Sequence, residues 1–505
     1  MRFNQKASKN TPTNYEGAPA YPLSPALELY AATVATSLSD KFYENNGKRI
    51  ARLVSLIGKN DPLFVAQLAV YAREQMYLRS IPLVLAVELA KVHRGDDLVS
   101  RLVSRVVNRA DEITELLAYY QASNERAGIK KLGKLSKQIQ KGLALAFNKF
   151  DEYQFAKYNR ATEIKLRDAL FLSHPKAKDA AQQAIFDKIT NNTLETPYTW
   201  EVELSVLGQQ SFSDENEKAA AFRQKWEELI DSKKVGYMAI LRNLRNILAA
   251  QVSAAHLQKV ADYIGNKNAV LQSKQFPFRF LAAYRELLYS EYPNKEVFIA
   301  ALERAALWSA ENVQGFDAQT RVLLACDVSG SMHWSVSEKS VIQQYDIGLV
   351  LAMLLKNRCQ TVVSGLFGNI WKIIDLPQTQ ILANTEALRK REGEVGYSTN
   401  GHLILKDLIT RKVVMDKILI FTDCQLWNSQ YTEENLATYW NEYKSKIAPN
   451  AKLYLFDLAG YGSLPLEEAQ KDVFLIAGWS DKVFAMMEAL EAGGEAVQQI
   501  QKIEL

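Results

Sequence analysis

The spacing of apolar residues changes once along the chain. From about residue 24 to about residue 310 they recur at helical spacing, in segments such as ALELYAATVATSL, LFVAQLAVYAREQ and VFIAALERAALWSA, with short breaks at Pro, Gly, Asn or Asp. Convincing strand patterns are almost absent from this part of the sequence. Many short amphipathic helices without one fixed repeat length predict stacked helical pairs, as in an irregular α-solenoid.

After about residue 320 the pattern becomes an alternation of strands and helices. Short apolar runs such as RVLLACDVS, TVVSGLFG, KILIFTDC, KLYLFDL and VFLIAG are separated by helical segments such as YDIGLVLAMLLKN. This alternation predicts a parallel, doubly wound sheet. We therefore expect a multidomain chain, with a loosely ordered segment at 1–23, an all-α helical-repeat domain at 24–315 and an α/β domain at 320–505.

Small oxygen-bearing side chains follow two of the predicted strands and occupy one loop. The run DVSGSM contributes Asp327, Ser329 and Ser331, the strand KILIFTDC delivers Asp423, and the loop GEVGYSTNGHL carries Thr399. Ligands of open parallel sheets bind beyond the carboxyl ends of the strands, so these oxygens should converge. Two carboxylates and three hydroxyls suit a hard divalent cation, with Mg²⁺ as the first choice, whose shell an outside ligand would complete.

Positive charge is concentrated in one part of the helical region. The net charge of the chain is only +4, yet residues 125–168 contain eleven Lys or Arg against five Asp or Glu, a local excess of six. A predicted helix there carries a basic stripe at Lys130, Lys134, Lys137 and Lys141, with an apolar stripe opposite at Leu132, Leu135, Ile139 and Leu143. The stripe is either an ordinary solvated lysine face or a surface that binds phosphates.

The oxygen cluster resembles the metal-ion-dependent adhesion site of von Willebrand factor A domains, and residues 320–505 follow that Rossmann-like fold in order. By this resemblance the hydroxyls of Ser329 and Ser331 bind the ion directly. Thr399 would bind it directly or through water, and the carboxylates of Asp327 and Asp423 would bind it mostly through water.

Alternatives remain open at this site. The third loop reads GYSTNG, so Ser398 could replace Thr399 as the ligand. DVSGSM could also be a strand-to-helix turn capped by serine, or a site that forms without holding a metal.

The helical segments resemble the TROVE module of Ro autoantigen proteins, of a bacterial or phage type. The resemblance rests on YAREQMYLRSIPLVLAVELA, FAKYNRATEIKLRDALFLSHPK, AILRNLRNI, FPFRFLAAY and ALWSAENV, in that order. It implies HEAT-like repeats that close into a ring through contacts with a following von Willebrand factor A domain. It also implies RNA binding, with single-stranded 3′ ends of misfolded RNAs threading the ring and Y RNAs binding its outer face.

By the same resemblance Lys157, Arg160 and His174 would contact RNA, although an ungapped alignment puts Ala161 in place of Arg160. His174 could equally cap a helix end through a ring nitrogen. Other polar residues could either brace neighbouring helices or touch RNA, and these are Arg79, Arg242, Asn243 and Arg279. Three tyrosines could stack on bases, although core packing is the commoner role, and these are Tyr71, Tyr77 and Tyr158.

Other sequence features limit the classes of function. The three cysteines are odd in number and lie in apolar surroundings, which predicts reduced core residues in a cytoplasmic protein. The sequence shows neither a secretory signal nor a membrane span, and it lacks HExxH, GxxxxGK[ST] and dinucleotide motifs. We expect a monomeric, non-enzymatic RNA-binding protein that acts in RNA quality control or as a ribonucleoprotein scaffold, with an exoribonuclease as a possible partner. The alternatives are a metal-dependent adhesion module without an RNA role and a metal-dependent nuclease.

Overall fold

The computed structural model describes residues 13–15, 18, 20–35, 46–124, 135–159, 162–275, 277–312, 316–336, 340–426, 434–466, 472–478, 482–491 and 495–505. These residues form two compact units, which are described separately. The α/β unit takes its residues from within Met1–Arg49, Phe276–Ala282 and Ala306–Gly494. The helical unit takes its residues from within Ile50–Gln275, Ala283–Ala305 and Glu495–Leu505.

Helices dominate the chain up to residue 309. They are α1 (Pro25–Val34), α2 (Asn46–Lys59), α3 (Pro62–Glu74), α4 (Ser80–Val92), α5 (Leu98–Val106), α6 (Ala110–Ser123), α7 (Lys137–Phe147), α8 (Glu152–Tyr158), α9 (Leu166–Ser173), α10 (Ala180–Asn191), α11 (Trp200–Gly208), α12 (Glu215–Asp231), α13 (Tyr237–Ala249), α14 (Ala254–Ile264), α15 (Lys267–Ser273), α16 (Pro277–Leu288) and α17 (Lys295–Ser309). The apolar spacing of the sequence thus forms the short successive helices that it predicts.

Local signals fix where these helices begin and how closely they pack. Asp61 caps α3, because its side chain accepts hydrogen bonds from the N–H groups of Leu63 and Phe64 at 2.7 and 3.3 Å. In α7, a Cβ at Gly142 would lie only 2.6 Å from Cβ of Val103 in α5. Glycine therefore allows these two helices to approach at this point, and a larger residue would separate them.

Strands alternate with helices after residue 320. The remaining elements of the chain are β2 (Arg321–Asp327), α18 (Gln344–Arg358), β3 (Thr361–Phe367), β4 (Trp371–Ile373), α19 (Ile381–Arg389), α20 (His402–Arg411), β5 (Lys417–Thr422), α21 (Leu436–Lys446), β6 (Lys452–Asp457), β7 (Ser463–Leu464), β8 (Val473–Ala477), α22 (Lys482–Glu491) and α23 (Ala496–Gln501), and a short strand β1 (Tyr21–Pro22) precedes α1. The main sheet has the order β4-β3-β2-β5-β6-β8.

The central strands of this sheet are parallel and buried. β2 pairs with β3 on one side and β5 on the other, β5 pairs with β6, and β6 pairs with β8, all in parallel, whereas the edge strand β4 is antiparallel. Every residue of β5 is buried, as expected for a sheet covered on both faces. The carboxyl ends of β2, β5 and β6 therefore lie side by side at one edge of the α/β unit.

A segment before the helical region also belongs to the α/β unit. β1 pairs antiparallel with β7, with Tyr21 opposite Leu464. Asn14 is buried, and its Nδ2 donates to the carbonyl oxygen of Leu426 at 2.8 Å. Gly460 adopts a positive φ of 71°, and a Cβ there would lie 2.7 Å from the carbonyl oxygen of Ala31 in α1. These contacts place residues of the 1–49 segment in the α/β unit. The domain boundaries inferred from the sequence remain a prediction.

Two further observations concern the class of protein. The cysteines Cys326, Cys359 and Cys424 are buried and not disulfide-bonded, so the prediction of reduced core residues is confirmed. In the part of the chain that the structure describes, no helix is both long and apolar enough to cross a membrane.

Candidate functional sites

The carboxyl end of β2 gathers three of the predicted metal ligands. Asp327 ends the strand, Ser329 and Ser331 follow at a short 3₁₀ turn, and all three are buried. The N–H of Ser329 donates to Oδ1 of Asp327 at 2.9 Å, and the two serine hydroxyl oxygens lie 3.3 Å apart. From β5, the Thr422 hydroxyl donates to Oδ2 of Asp327 at 2.7 Å. These contacts fix a carboxylate and two hydroxyls at one edge of the sheet.

Asp423 directly follows β5 and supplies the second carboxylate. It is fully buried, and its Oδ1 accepts a hydrogen bond from the N–H of Gln425 at 3.0 Å. The other oxygen, Oδ2, is buried without a hydrogen-bond partner among the described residues. Such an oxygen is unfavourable unless a cation or water satisfies it.

Thr399 is the buried member of the third loop. Its hydroxyl donates to the carbonyl oxygen of Gln425 at 3.1 Å, in the loop that follows Asp423. The side chain of Ser398 is exposed, and the N–H of Ser398 donates to Oδ1 of Asn369 at 2.9 Å. Burial beside the Asp423 loop favours Thr399 over Ser398 as the ligand.

The electrostatics of this cluster fit a cation. Burial raises the pKa of Asp423 above its ordinary value, and the negative charge of Asp327 raises it further, while the Ser331 hydroxyl and the Gln425 N–H oppose the rise. Two such carboxylates resist being charged together without a compensating positive charge. Within the described ranges, His, Cys, Asp and Glu do not form a group of three that could hold a metal, so hydroxyl oxygens would have to contribute. The oxygen donors present are those that a divalent cation such as Mg²⁺ prefers.

Two polar residues beside this cluster, Asp457 and Gln425, were not among the residues predicted from the sequence. Oδ1 of Asp457, at the end of β6, accepts hydrogen bonds from the N–H groups of Ala459 and Gly460 at 3.0 and 2.6 Å. The signal was present in the sequence, because KLYLFD ends in aspartate as RVLLACD does, and KILIFT is followed directly by Asp423. Oε1 of Gln425 accepts a hydrogen bond from the N–H of Tyr15 at 2.9 Å. The two residues are 410 positions apart in the sequence, so no local sequence pattern could predict this contact.

The predicted basic stripe is wrong as a single continuous helix. Ser136 has an extended backbone, with φ −54° and ψ 130°, so helix α7 begins only at Lys137. Lys130 and Lys134 lie outside the described residues. The spacing of the lysines is helical in number, but the chain does not form one helix through Ser136.

The described part of the stripe lies on α7. Lys137 and Lys141 are exposed, whereas Ile139 on the opposite face is fully buried. Nε2 of Gln140 donates to the carbonyl oxygen of Leu172 at 3.1 Å, which joins α7 to α9. The two lysines therefore project from a helix that is docked against its neighbours.

Helices α8 and α9 expose aromatic rings beside cations. Nζ of the exposed Lys157 lies 5.8 Å from the ring centroids of both Tyr153 and Tyr158. On α9 the guanidinium of Arg167 lies 5.6 Å from the ring of Phe171, which is 48% exposed. Cations beside accessible rings are the groups that bind phosphates and stack on unpaired bases.

His174 ends α9 in the left-handed conformation, with φ 49°. Its backbone N–H donates to the carbonyl oxygen of Leu170 at 3.0 Å, and its side chain is exposed. The capping bond therefore comes from the backbone of His174 rather than from a ring nitrogen. Arg160 and Ala161 lie outside the described residues, so the choice between them remains a prediction.

Among the residues with two possible roles, Arg79 braces neighbouring helices. Its Nε lies 3.2 Å from Glu112 and its Nη2 lies 3.0 Å from Asp111, both at the start of α6. Asn243 is buried and donates to a carbonyl one turn earlier in α13, at 2.8 Å. Arg242, beside it, is exposed.

The remaining aromatic candidates have packing or cation contacts. Tyr71 is buried in the core of the helical unit, with 7% of its surface exposed. Lys274 lies 5.6 Å from the ring of Tyr77, and Arg279 lies 5.3 Å from the ring of Phe278. Tyr71 is therefore a core residue.

Both regions match known protein domains. A profile of the TROVE domain matches residues 26–205 and 192–296, and a profile of the Ro60 vWA domain matches residues 321–490. The first match covers the segments that contain α7, α8 and α9, and the second covers the oxygen cluster.

Similar proteins and structures support these matches. Telomerase protein component 1 of Rattus norvegicus is 25% identical over 343 residues, and that of Mus musculus is 26% identical over 313 residues. The matched parts are 52% and 46% of this chain but only 12% and 11% of those much longer proteins. The crystal structure of the Deinococcus radiodurans RO (RSR) protein matches with a TM-score of 0.61 over 92% of this chain and 99% of that chain, at 18% identity. The likeness shows a shared fold and confirms the predicted fold class.

Proposed function

Because this chain belongs to the TROVE family and carries a vWA domain of the Ro60 type, we propose that it binds single-stranded 3′ ends of misfolded or structured noncoding RNAs. Proteins of this family bind RNA and are not enzymes, which confirms the coarser expectation of a non-enzymatic RNA-binding protein. The proposal adds the kind of RNA and the role, which is RNA quality control or a ribonucleoprotein scaffold.

The observation that carries the proposal is the set of exposed cationic and aromatic side chains on α7, α8 and α9, which we call the basic face. It consists of Lys137, Lys141, Tyr153, Lys157, Arg167, Phe171 and His174. Cations alone would bind any polyanion, but cations beside exposed rings favour the binding of RNA whose bases are unpaired. Lys130, Lys134 and Arg160 belong to the proposed RNA-binding set on the strength of the sequence.

The proposal extends to partners, location and the metal. The RNAs would include Y-like small RNAs, and the protein would act as a cytoplasmic monomer with an exoribonuclease as a partner. The vWA domain would bind Mg²⁺ through Ser329, Ser331, Thr399, Asp327 and Asp423. Support for the metal comes from the buried, unpartnered oxygen of Asp423 among these ligands. The open position on the ion would take an acidic side chain of a partner protein.

A comparison of tailed and blunt RNA tests the proposed RNA preference. A hairpin with a single-stranded 3′ tail should bind more tightly than the same hairpin with a blunt end, because the exposed rings can stack only on unpaired bases. Affinities would be measured by fluorescence anisotropy at physiological salt. Equal affinities for the two RNAs would contradict the proposal.

A double substitution tests the basic face itself. Lys137→Gln with Lys141→Gln should weaken binding of all RNAs and flatten the slope of log affinity against log salt by about 0.7–0.9 per lost phosphate contact. Thermal stability should hardly change, because both side chains are exposed. Lys259→Gln, at an exposed lysine on α14, is the matched control and should leave the slope unchanged. A double variant with the wild-type slope would show that α7 is an ordinary solvated surface.

A further inference from the structure

A cleft of about 600 Å³ lies in the helical unit beside the basic face. It is lined by the end of α8, the residue before α6, the loop before α11, and the first turns of α11 and α13, including Arg109, Lys157, Tyr158, Trp200 and Arg242. A smaller depression of about 70 Å³ adds Tyr198 and Lys234 and shares Lys157 and Trp200 with the cleft. The two depressions therefore form one continuous groove, which we call the aromatic groove.

Positive charge predominates along the aromatic groove. Its cations are Arg109, Lys157, Arg242 and Lys234, and its carboxylates are Glu195 and Glu201. Glu195 is 82% exposed and lies 3.6 Å from Lys188, and Arg109 pairs with Asp111 at 3.1 Å, so both charges are partly compensated outside the groove. Lys157, Arg242 and Lys234 then outnumber Glu201. This excess of positive charge would attract a chain with several negative charges along the groove.

The rings that line the groove are held in place. The guanidinium of Arg109 lies 4.4 Å from the ring centroid of Tyr158. Its Nε and Nη2 each donate a hydrogen bond of 3.1 Å to the carboxylate of Asp111. Trp200 packs against the buried Trp226 with ring centroids 6.3 Å apart and planes 21° apart. Rings fixed in this way can accept a flat partner without first being ordered.

Tyr198 is a further ring that lines the groove. Nζ of Lys234 lies 5.1 Å from the ring of Tyr198, which is 38% exposed. The groove is thus lined by both rings and cations, with Arg109 and Lys157 beside Tyr158 and Lys234 beside Tyr198. This arrangement suits a strand whose bases stack while its phosphates meet cations.

We propose that the aromatic groove binds a run of unpaired nucleotides of the RNA, with bases stacked on Trp200 and Tyr198 and phosphates held by Arg242 and Lys234. The inference rests on the proposed RNA binding. It extends that proposal, because it assigns single-stranded RNA to the aromatic groove, which shares Lys157 with the basic face. An acidic peptide would satisfy the cations but would leave the rings without a stacking partner. Nucleotides satisfy both.

Substitution of the rings gives the sharpest test. Tyr198→Ala should weaken binding of a tailed hairpin by about tenfold and Trp200→Ala by at least as much, since each removes stacking on a base. Neither should change the affinity for the blunt hairpin. Tyr289→Ala removes a tyrosine that is 61% exposed outside the groove and serves as the matched control.

Second variants and a second probe keep the outcomes distinct. Trp200→Ala could disturb the packing on Trp226, so Arg242→Gln, at an exposed residue, is tested as well and should flatten the salt slope for the tailed RNA only. An oligouridylate of about ten nucleotides and a poly-glutamate peptide of similar length are titrated in parallel. Binding of the peptide in preference to the oligouridylate would overturn the inference.

The two proposals fail in different ways. If the wild-type protein bound neither hairpin, the proposed RNA function would fail and the groove assignment with it. If the wild type preferred the tailed hairpin but Tyr198→Ala, Trp200→Ala and Arg242→Gln all retained that preference, only the groove assignment would be wrong. A selective loss of tailed binding in these variants, with Tyr289→Ala unchanged, supports it.

Discussion

Replacing Glu112 by alanine should lower the free energy of unfolding of the helical unit by about 3–5 kcal/mol, because it removes a fully buried carboxylate from the mostly buried Arg73 and from three further hydrogen-bond donors. Glu112 is fully buried at the start of α6. Its carboxylate accepts hydrogen bonds from Nη2 of Arg73 at 3.0 Å, from Nε of Arg79 at 3.2 Å, and from the N–H groups of Asn108 and Arg109 at 2.8 and 3.0 Å. One side chain thus joins α3, the residue before α4 and the start of α6, and alanine would remove the acceptor of all four donors.

Denaturant unfolding followed by circular dichroism measures this effect. Glu228→Ala is the matched control, because Glu228 pairs with Lys225 at 2.8 Å on the surface of α12 and is 47% exposed. A surface pair of this kind contributes about 1 kcal/mol or less. If Glu112→Ala unfolded at the same denaturant concentration as Glu228→Ala, the Glu112 cluster would not stabilise the helical unit as described.

Asp327→Ala should strongly weaken Mg²⁺ binding by the proposed site in the vWA domain and leave RNA binding unchanged. Asp327 is buried and holds the loop of Ser329 and the hydroxyl of Thr422 through both of its oxygens. Its loss removes one negative charge and the contacts that position the hydroxyls, so affinity for Mg²⁺ should fall by about 10–100-fold or more. Asp327→Asn separates the two effects, because it preserves the size of the side chain while removing the charge.

The measurement combines metal content, RNA affinity and RNA integrity on the same preparations. Asp416→Asn is the control, since Asp416 lies just before β5 and pairs with Arg321 at 2.6 Å, away from the carboxyl ends of the strands. Mg²⁺-dependent RNA cleavage that disappears in Asp327→Ala would support the nuclease interpretation and contradict the proposed role. Lost RNA affinity in the same variant would show that RNA binding depends on the metal site.

The closeness of the oxygen-bearing side chains at the ends of β2 and β5 was largely predictable from the sequence, and the reason is geometric. Parallel strands end at one edge, so aspartates at the ends of RVLLACD and KILIFTD should come close together. The parallel pairing of β2 with β5 places Asp327 beside Thr422, the residue before Asp423. The burial of Thr399 and the exposure of Ser398 could not be read from GYSTNG, because they depend on which side chain packs against the loop after β5. That burial arises from tertiary packing.

The RNA-binding surface was predictable only in part. Helical periodicity placed Lys137 and Lys141 on the face opposite Ile139. It could not show that the helix begins only after Ser136, because serine occurs both at helix N-caps and at other positions, so its presence alone does not mark a helix start. The aromatic groove was missed because its residues come from separate segments around residues 109, 158, 200 and 242. Each of these residues looks ordinary in its own local sequence, and only folding brings them together.

The most direct test of the account is to map where RNA touches the protein. A hairpin with a 4-thiouridine-containing 3′ tail would be crosslinked to the full chain, and the crosslinked peptides would be identified by mass spectrometry. RNA binding by the helical unit predicts crosslinks within residues 135–174, which carry the basic face, and within 194–242, which carry most of the aromatic groove. Crosslinks confined to residues 321–490 would contradict it, because RNA would then be bound by the vWA domain and the helical unit would have no part in binding.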